Sequence, residues 1–140
     1  MRKFACILLL VLLLVLFVSC TAAPPEIPEE ALQGSTELIS SNTDIEDPEI
    51  IVEDDMITFY LVPGQGLDVS EDRLREVGTD YLKILAGYVA TEEMSGPSEE
   101  SYGGIYDYYN VEIIIEGQRG AILHKGTMGK GENQIQWQEE

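Results

Sequence analysis

The chain has few residues that could do chemistry, and they are scattered. His124 is its one histidine. It falls in an apolar run, Ile122-Leu123-His124-Lys125, and a base of that kind needs a nucleophile and an orienting acid beside it. Ser95, Ser98 and Ser101 supply hydroxyls, but sequence alone does not bring them to the histidine, so we expect His124 to be a half-exposed strand residue. Two cysteines are present, Cys6 and Cys20, both near the N-terminus. With one His and no cysteine further along, a zinc site is not expected. The stretch Gly126-Thr127-Met128-Gly129-Lys130-Gly131 has the glycines and lysine of a phosphate loop. It lacks the spacing and the Ser or Thr after the lysine, and it reads as a glycine-rich β-loop. Carboxylates are plentiful, yet Glu112 and Glu116 have no identifiable partner across a cleft of the kind glycoside cleavage needs.

Tyrosines are the more suggestive group. Of seven, Tyr102, Tyr106, Tyr108 and Tyr109 cluster together. Aromatic rings with a polar tip suit recognition of proteins or sugars. Strand periodicity places Tyr106 and Tyr108 on one sheet face and Tyr109 on the other. Tyr106, Tyr108 and Tyr102 are therefore the expected binding residues, and replacing the first two by Ala is expected to leave the fold intact.

Charge narrows the partners. The chain has 140 residues and a formal net charge of −18. Phosphate contacts need Lys and Arg, so nucleic acid is not an expected partner. Anionic lipid headgroups should repel such a chain. Any attachment to a membrane must come from something hydrophobic.

The first twenty residues, MRKFACILLLVLLLVLFVSC, supply it. Arg2 and Lys3 precede an uncharged apolar run from Phe4 to Val18. That is short for a transmembrane helix, which wants about 20 residues, and suits a signal peptide, whose apolar region is about 7–15. Its end, Phe17-Val18-Ser19-Cys20, resembles the lipobox of bacterial lipoproteins, with Phe17 where Leu is usual. The resemblance implies removal of residues 1–19, a diacylglyceryl group on the Cys20 thiol, and a protein anchored on the outer side of a membrane, periplasmic or at the cell surface. More than one acyl chain makes such anchoring stable. The alternative is an uncleaved membrane anchor with Cys20 unmodified.

After the leader the composition changes. Pro24, Pro25, Pro28 and Pro48 break helices, and eleven acidic residues fall between Glu26 and Asp55 before the next basic residue, Arg73. Low hydrophobicity with one-sided charge marks disorder. Residues 20–55 are expected to form an acidic, disordered tether that holds the domain roughly 30 Å from the membrane. Its carboxylates Asp44, Glu46, Asp47, Glu49, Glu53, Asp54 and Asp55 could collect calcium, without the spacing of a dedicated loop.

Residues 56–140 then form a small domain. Ile57 to Val62 is a strand stopped by Pro63-Gly64. A helix follows, capped by Asp68 with Glu71 in a capping box or by Ser70, with an apolar stripe of Leu74, Val77, Tyr81, Leu85 and Tyr88 ending near Ala90. Gly78 would allow close packing on the sheet. Residues 91–104 form a long loop, functional or mobile. Tyr106 to Glu116 is a strand, 116–120 a hairpin turn, 121–125 its return, and 134–137 a last short strand. Strand, helix, strand, strand, strand predicts an α+β two-layer sandwich, one helix on a small, mostly antiparallel sheet.

The expected function is a non-catalytic binding or accessory module of the cell envelope. It would be held to the membrane through lipid on Cys20, need no cofactor, and meet an envelope protein or wall polymer through the sheet face and the 91–104 loop. The alternatives are a small envelope hydrolase using carboxylates and an acidic calcium-binding surface protein.

Overall fold

The computed structural model describes residues 23–138 apart from Thr43, Leu67 and Gln118. The leader, Cys6 and Cys20 lie outside the described residues. No described helix is long and apolar enough to cross a membrane.

The order of elements is α1 (Glu29–Ser40), β1 (Ile45–Glu53), β2 (Met56–Pro63), α2 (Glu71–Val89), a 3-10 turn (Gly104–Asp107), β3 (Asn110–Glu116), β4 (Ile122–Met128) and β5 (Gln136–Gln138). The strands form one sheet in the order β1-β2-β3-β4-β5. β2 and β3 run parallel, joined by α2 as the crossover, and the other neighbours are antiparallel. This is the expected α+β class, with a helix and a strand added ahead of the expected elements.

Those additions overturn the disordered tether. Ile27, Ala31, Ser35 and Ile39 recur every four residues and are all buried, which is the spacing of one helix face. Pro28 is the N-cap of α1, and Glu29 and Glu30 occupy the first turn, where acidic side chains favour the helix N-terminus. The prolines mark the start of a helix rather than forbidding one. Ser35 satisfies its buried hydroxyl by donating to the Ala31 carbonyl at 2.6 Å. β1 then pairs with β2 from Ile50↔Phe59 to Glu53↔Met56. The pairing shifts between Glu46 and Glu49, where Pro48 and Asp47 (φ 45°) interrupt the ladder. A bulge and a proline are usual protections for an edge strand.

Buried Ile57, Phe59 and Leu61 of β2 share the sheet face of Val111, Ile113 and Ile115 of β3. Against it lies α2, burying Leu74, Val77, Tyr81, Leu82, Leu85, Ala86 and Val89. Ser70 is its cap, accepting from the Arg73 amide, so the Asp68 capping box does not form. Gly78 lets this helix approach: a Cβ there would sit 3.1 Å from Ile113 Cγ2. The ring of Tyr81 meets Phe59 edge-on at 5.0 Å. Its hydroxyl is 3.0 Å from Thr36 Oγ1 on α1, which ties the two helices together.

β4 runs three residues beyond its expected end and takes in Gly126. A Cβ there would fall 2.8 Å from Ile135 Cγ2 and 3.0 Å from the Trp137 ring, so the glycine makes room for β5. The loop reading of 126–128 is thereby corrected, and the turn begins at Gly129.

Candidate functional site

The three expected binding residues do not form one surface. Tyr106 lies in the 3-10 turn, not on a strand, and is 2% exposed. Its hydroxyl donates to the Leu82 carbonyl at 2.7 Å. Burial pushes its pKa well above the ordinary value. It is a core residue, and both its placement on the open sheet face and its harmless replacement by Ala are corrected. The strand begins only at Asn110, because 104–107 coil to bring Ile105 and Tyr106 beneath α2. Tyr108 is exposed, just beyond that turn. Tyr109 is buried, and its hydroxyl donates to the Pro25 carbonyl at 2.7 Å.

The sheet face opposite the helices carries Tyr60, Ile114 and Lys125, adjacent in register. Ile114 is only 7% exposed although neither described helix lies on this face. Lys125 pairs with Glu112. Longer neighbours thus shield much of the apolar surface on this side.

Tyr102 keeps its candidacy. It is half-buried and lines a recess of about 120 Å³ with Thr79 and Lys83 of α2, Asn133, and the loop residues Ser98 and Ser101. Burial raises its pKa. The loop that builds the recess is tied down by its own hydroxyls. Thr91 Oγ1 accepts from the Glu93 and Met94 amides. Ser98 Oγ accepts from the Glu100 and Ser101 amides, and Ser101 Oγ from that of Gly103. Gly103 closes the loop at φ 127°, with its α-carbon so near Ala86 that a Cβ would lie 2.5 Å away. The Ser-x-x-Ser spacing of 98–101 was the sequence signal for this hydroxyl-directed turn.

This arrangement leaves donors free. Ser98 and Ser101 spend their oxygens as acceptors in these bonds, so their hydroxyl hydrogens remain available. Among the described residues Arg73, Arg75, Lys125 and Lys130 are each paired with a carboxylate. Lys83 has no such partner among them. Glu99 and Glu100 sit exposed on the rim and add acceptors.

The catalytic candidates are not brought together. His124 lies toward the end of the sheet where β3 finishes, its Nδ1 3.7 Å from Glu71 Oε1. The serines lie past the other end of α2, so no triad forms. The acidic tract is spread along β1 and the turn after it. Asp44 meets Arg73, Asp55 meets Lys130, and Glu46 accepts from the Gln65 amide. No three metal-ligating side chains gather among the described residues.

No family model, curated protein or solved structure matches the chain.

Proposed function

We propose that the chain is a lipid-anchored, non-catalytic binding module of the cell envelope, and that the recess beside Tyr102 holds a hydroxyl-bearing ligand of the wall-glycan kind. The observation that carries this reading is the unspent set of donors around the recess: Lys83, Ser98, Ser101, Tyr102 and Asn133. A half-buried tyrosine ring offers a flat apolar patch beside its polar tip, a combination suited to a sugar ring. A site that hydrogen-bonds ligand hydroxyls rejects ligands lacking them, because its own groups would be left unpaired. The lipobox resemblance at Phe17-Val18-Ser19-Cys20 supports the envelope location.

The hydrolase alternative finds less support. Glu99 and Glu100 are solvent-exposed, whereas a carboxyl acting as general acid needs an apolar enclosure.

Calorimetric titration of the folded protein with soluble amino-sugar oligomers tests the proposal. Tyr102→Ala and Lys83→Met should each weaken binding about tenfold, the loss of roughly 1.4 kcal/mol, with the melting temperature little changed. Equal affinity in wild type and both variants, or no binding by the wild type, would reject the recess as the site.

A further inference from the structure

We propose that the end of the domain carrying Pro25, Tyr108 and the turn at 54–55 faces the bilayer surface, with the turn at 64–66 held away from it. The inference rests on the lipid-anchor reading of Cys20 and adds an orientation to it.

The argument is one of reach. The Pro25 carbonyl is held by the Tyr109 hydroxyl at 2.7 Å, and Ile27 is buried. From Pro25 onward the chain is therefore fixed to the domain. Cys20 precedes Pro25 by five residues, which span at most about 18 Å even fully stretched. Tyr109 immediately precedes β3, whose first residue Asn110 is paired with Met56, the first of β2. Because β2 and β3 are parallel, Pro25 is attached at the end where both begin. Gln65 lies beyond the other end of β2, a distance of roughly 25 Å at the rise of a strand. If the strands stood upright on the surface with the 64–66 turn against the lipid, Pro25 would stand farther from the surface than its five-residue connection can extend. The near end can rest on the surface without straining that connection.

The side chains at the near end fit a mild contact. Tyr108 is 46% exposed and Met56 37%. An exposed tyrosine is at home at the level of lipid headgroups. Asp54 and Asp107 are exposed nearby, and Asp55 is neutralised by Lys130. The remaining negative charge disfavours anionic lipid, so the surface that suits this end is zwitterionic.

The test uses the mature, acylated full-length chain in phosphatidylcholine vesicles. Acylation blocks the Cys20 thiol and Cys6 leaves with the leader, so Tyr108→Cys or Gln65→Cys gives one free thiol for a fluorophore. Nitroxide on the lipid headgroups should quench the label at position 108 at least threefold more than the label at 65. Inserting twenty Gly and Ser residues after Thr21 should erase the difference. Equal quenching at the two positions, or stronger quenching at 65, overturns the orientation when mass spectrometry finds acyl chains on Cys20. An unmodified Cys20 with residues 1–19 attached overturns the anchor reading and the orientation with it.

Discussion

Removing the Tyr106 hydroxyl should cost about 1 kcal/mol, the usual net worth of a hydrogen bond. Tyr106→Phe gives up the bond to the Leu82 carbonyl and keeps the packing. Tyr106→Ala leaves a cavity under α2 and should cost about 3–5 kcal/mol, a large share of the stability of any small domain. Urea melts of the two variants check this: similar midpoints would mean that the ring is not in the core. The buried tyrosines also set an alkaline limit. Burial pushes the Tyr81 pKa up to about 12, against the lowering effect of its bond to Thr36, and raises that of Tyr106 well above its ordinary value. In the unfolded chain both ionise near 10. The folded state therefore favours the protonated phenols. The stability they contribute is complete below about pH 10 and lost as pH rises towards 12. Melting temperatures should hold up to about pH 9.5 and then fall, and Tyr81→Phe should flatten the fall. A flat profile in the wild type would contradict the burial of these rings.

At the scale of elements, α1 and β1 complete the fold. β1 covers one edge of β2, while Ala31, Ser35 and Ile39 close the core beside α2. A chain starting at Met56 should stay unfolded, and one starting at Ala23 should fold and melt cooperatively. Circular dichroism distinguishes them, and a cooperative transition from the shorter chain would show that α1 and β1 are dispensable. The central elements were legible because they bury continuous patterns. Ile57 to Val62 is a β-branched and aromatic run stopped by Pro63-Gly64, and Leu74, Val77, Tyr81 and Leu85 follow a helix period. α1 was hidden because its apolar stripe includes Ala31 and Ser35, two small residues whose burial depends on close packing rather than on side-chain bulk. Gly34 is part of the same packing, since a Cβ there would come within 2.7 Å of Tyr88. The eleven carboxylates between Glu26 and Asp55 dominate any average over the segment. Of the candidate site, Tyr102 and its loop were legible. Lys83 and Asn133 were not, because only the packing of α2 beside the loop brings them together. Tyr106 was misassigned because alternation was extended four residues beyond the strand, into a turn whose local coiling puts the side chain inside.

On the scale of the whole molecule, the acidic N-terminal stretch decides how the protein is displayed. A flexible segment of that length would hold the domain tens of ångströms from the proposed anchor at Cys20. Under the lipid-anchor proposal, a folded one leaves only the few residues after Cys20 as a connection and would bring the recess-bearing body close to the membrane. The strong net negative charge then keeps that body soluble and away from anionic surfaces, while β1 presents an edge blunted by Pro48 and its acidic neighbours. Native-state hydrogen exchange reads the matter directly. Amides of residues 31–39 and 50–52 should be protected to nearly the same degree as those of 57–61, because they open in the same cooperative unit. Exchange of 31–39 and 50–52 at the rate of an unstructured peptide, with 57–61 still protected, would contradict the account and return the stretch to the role of a tether.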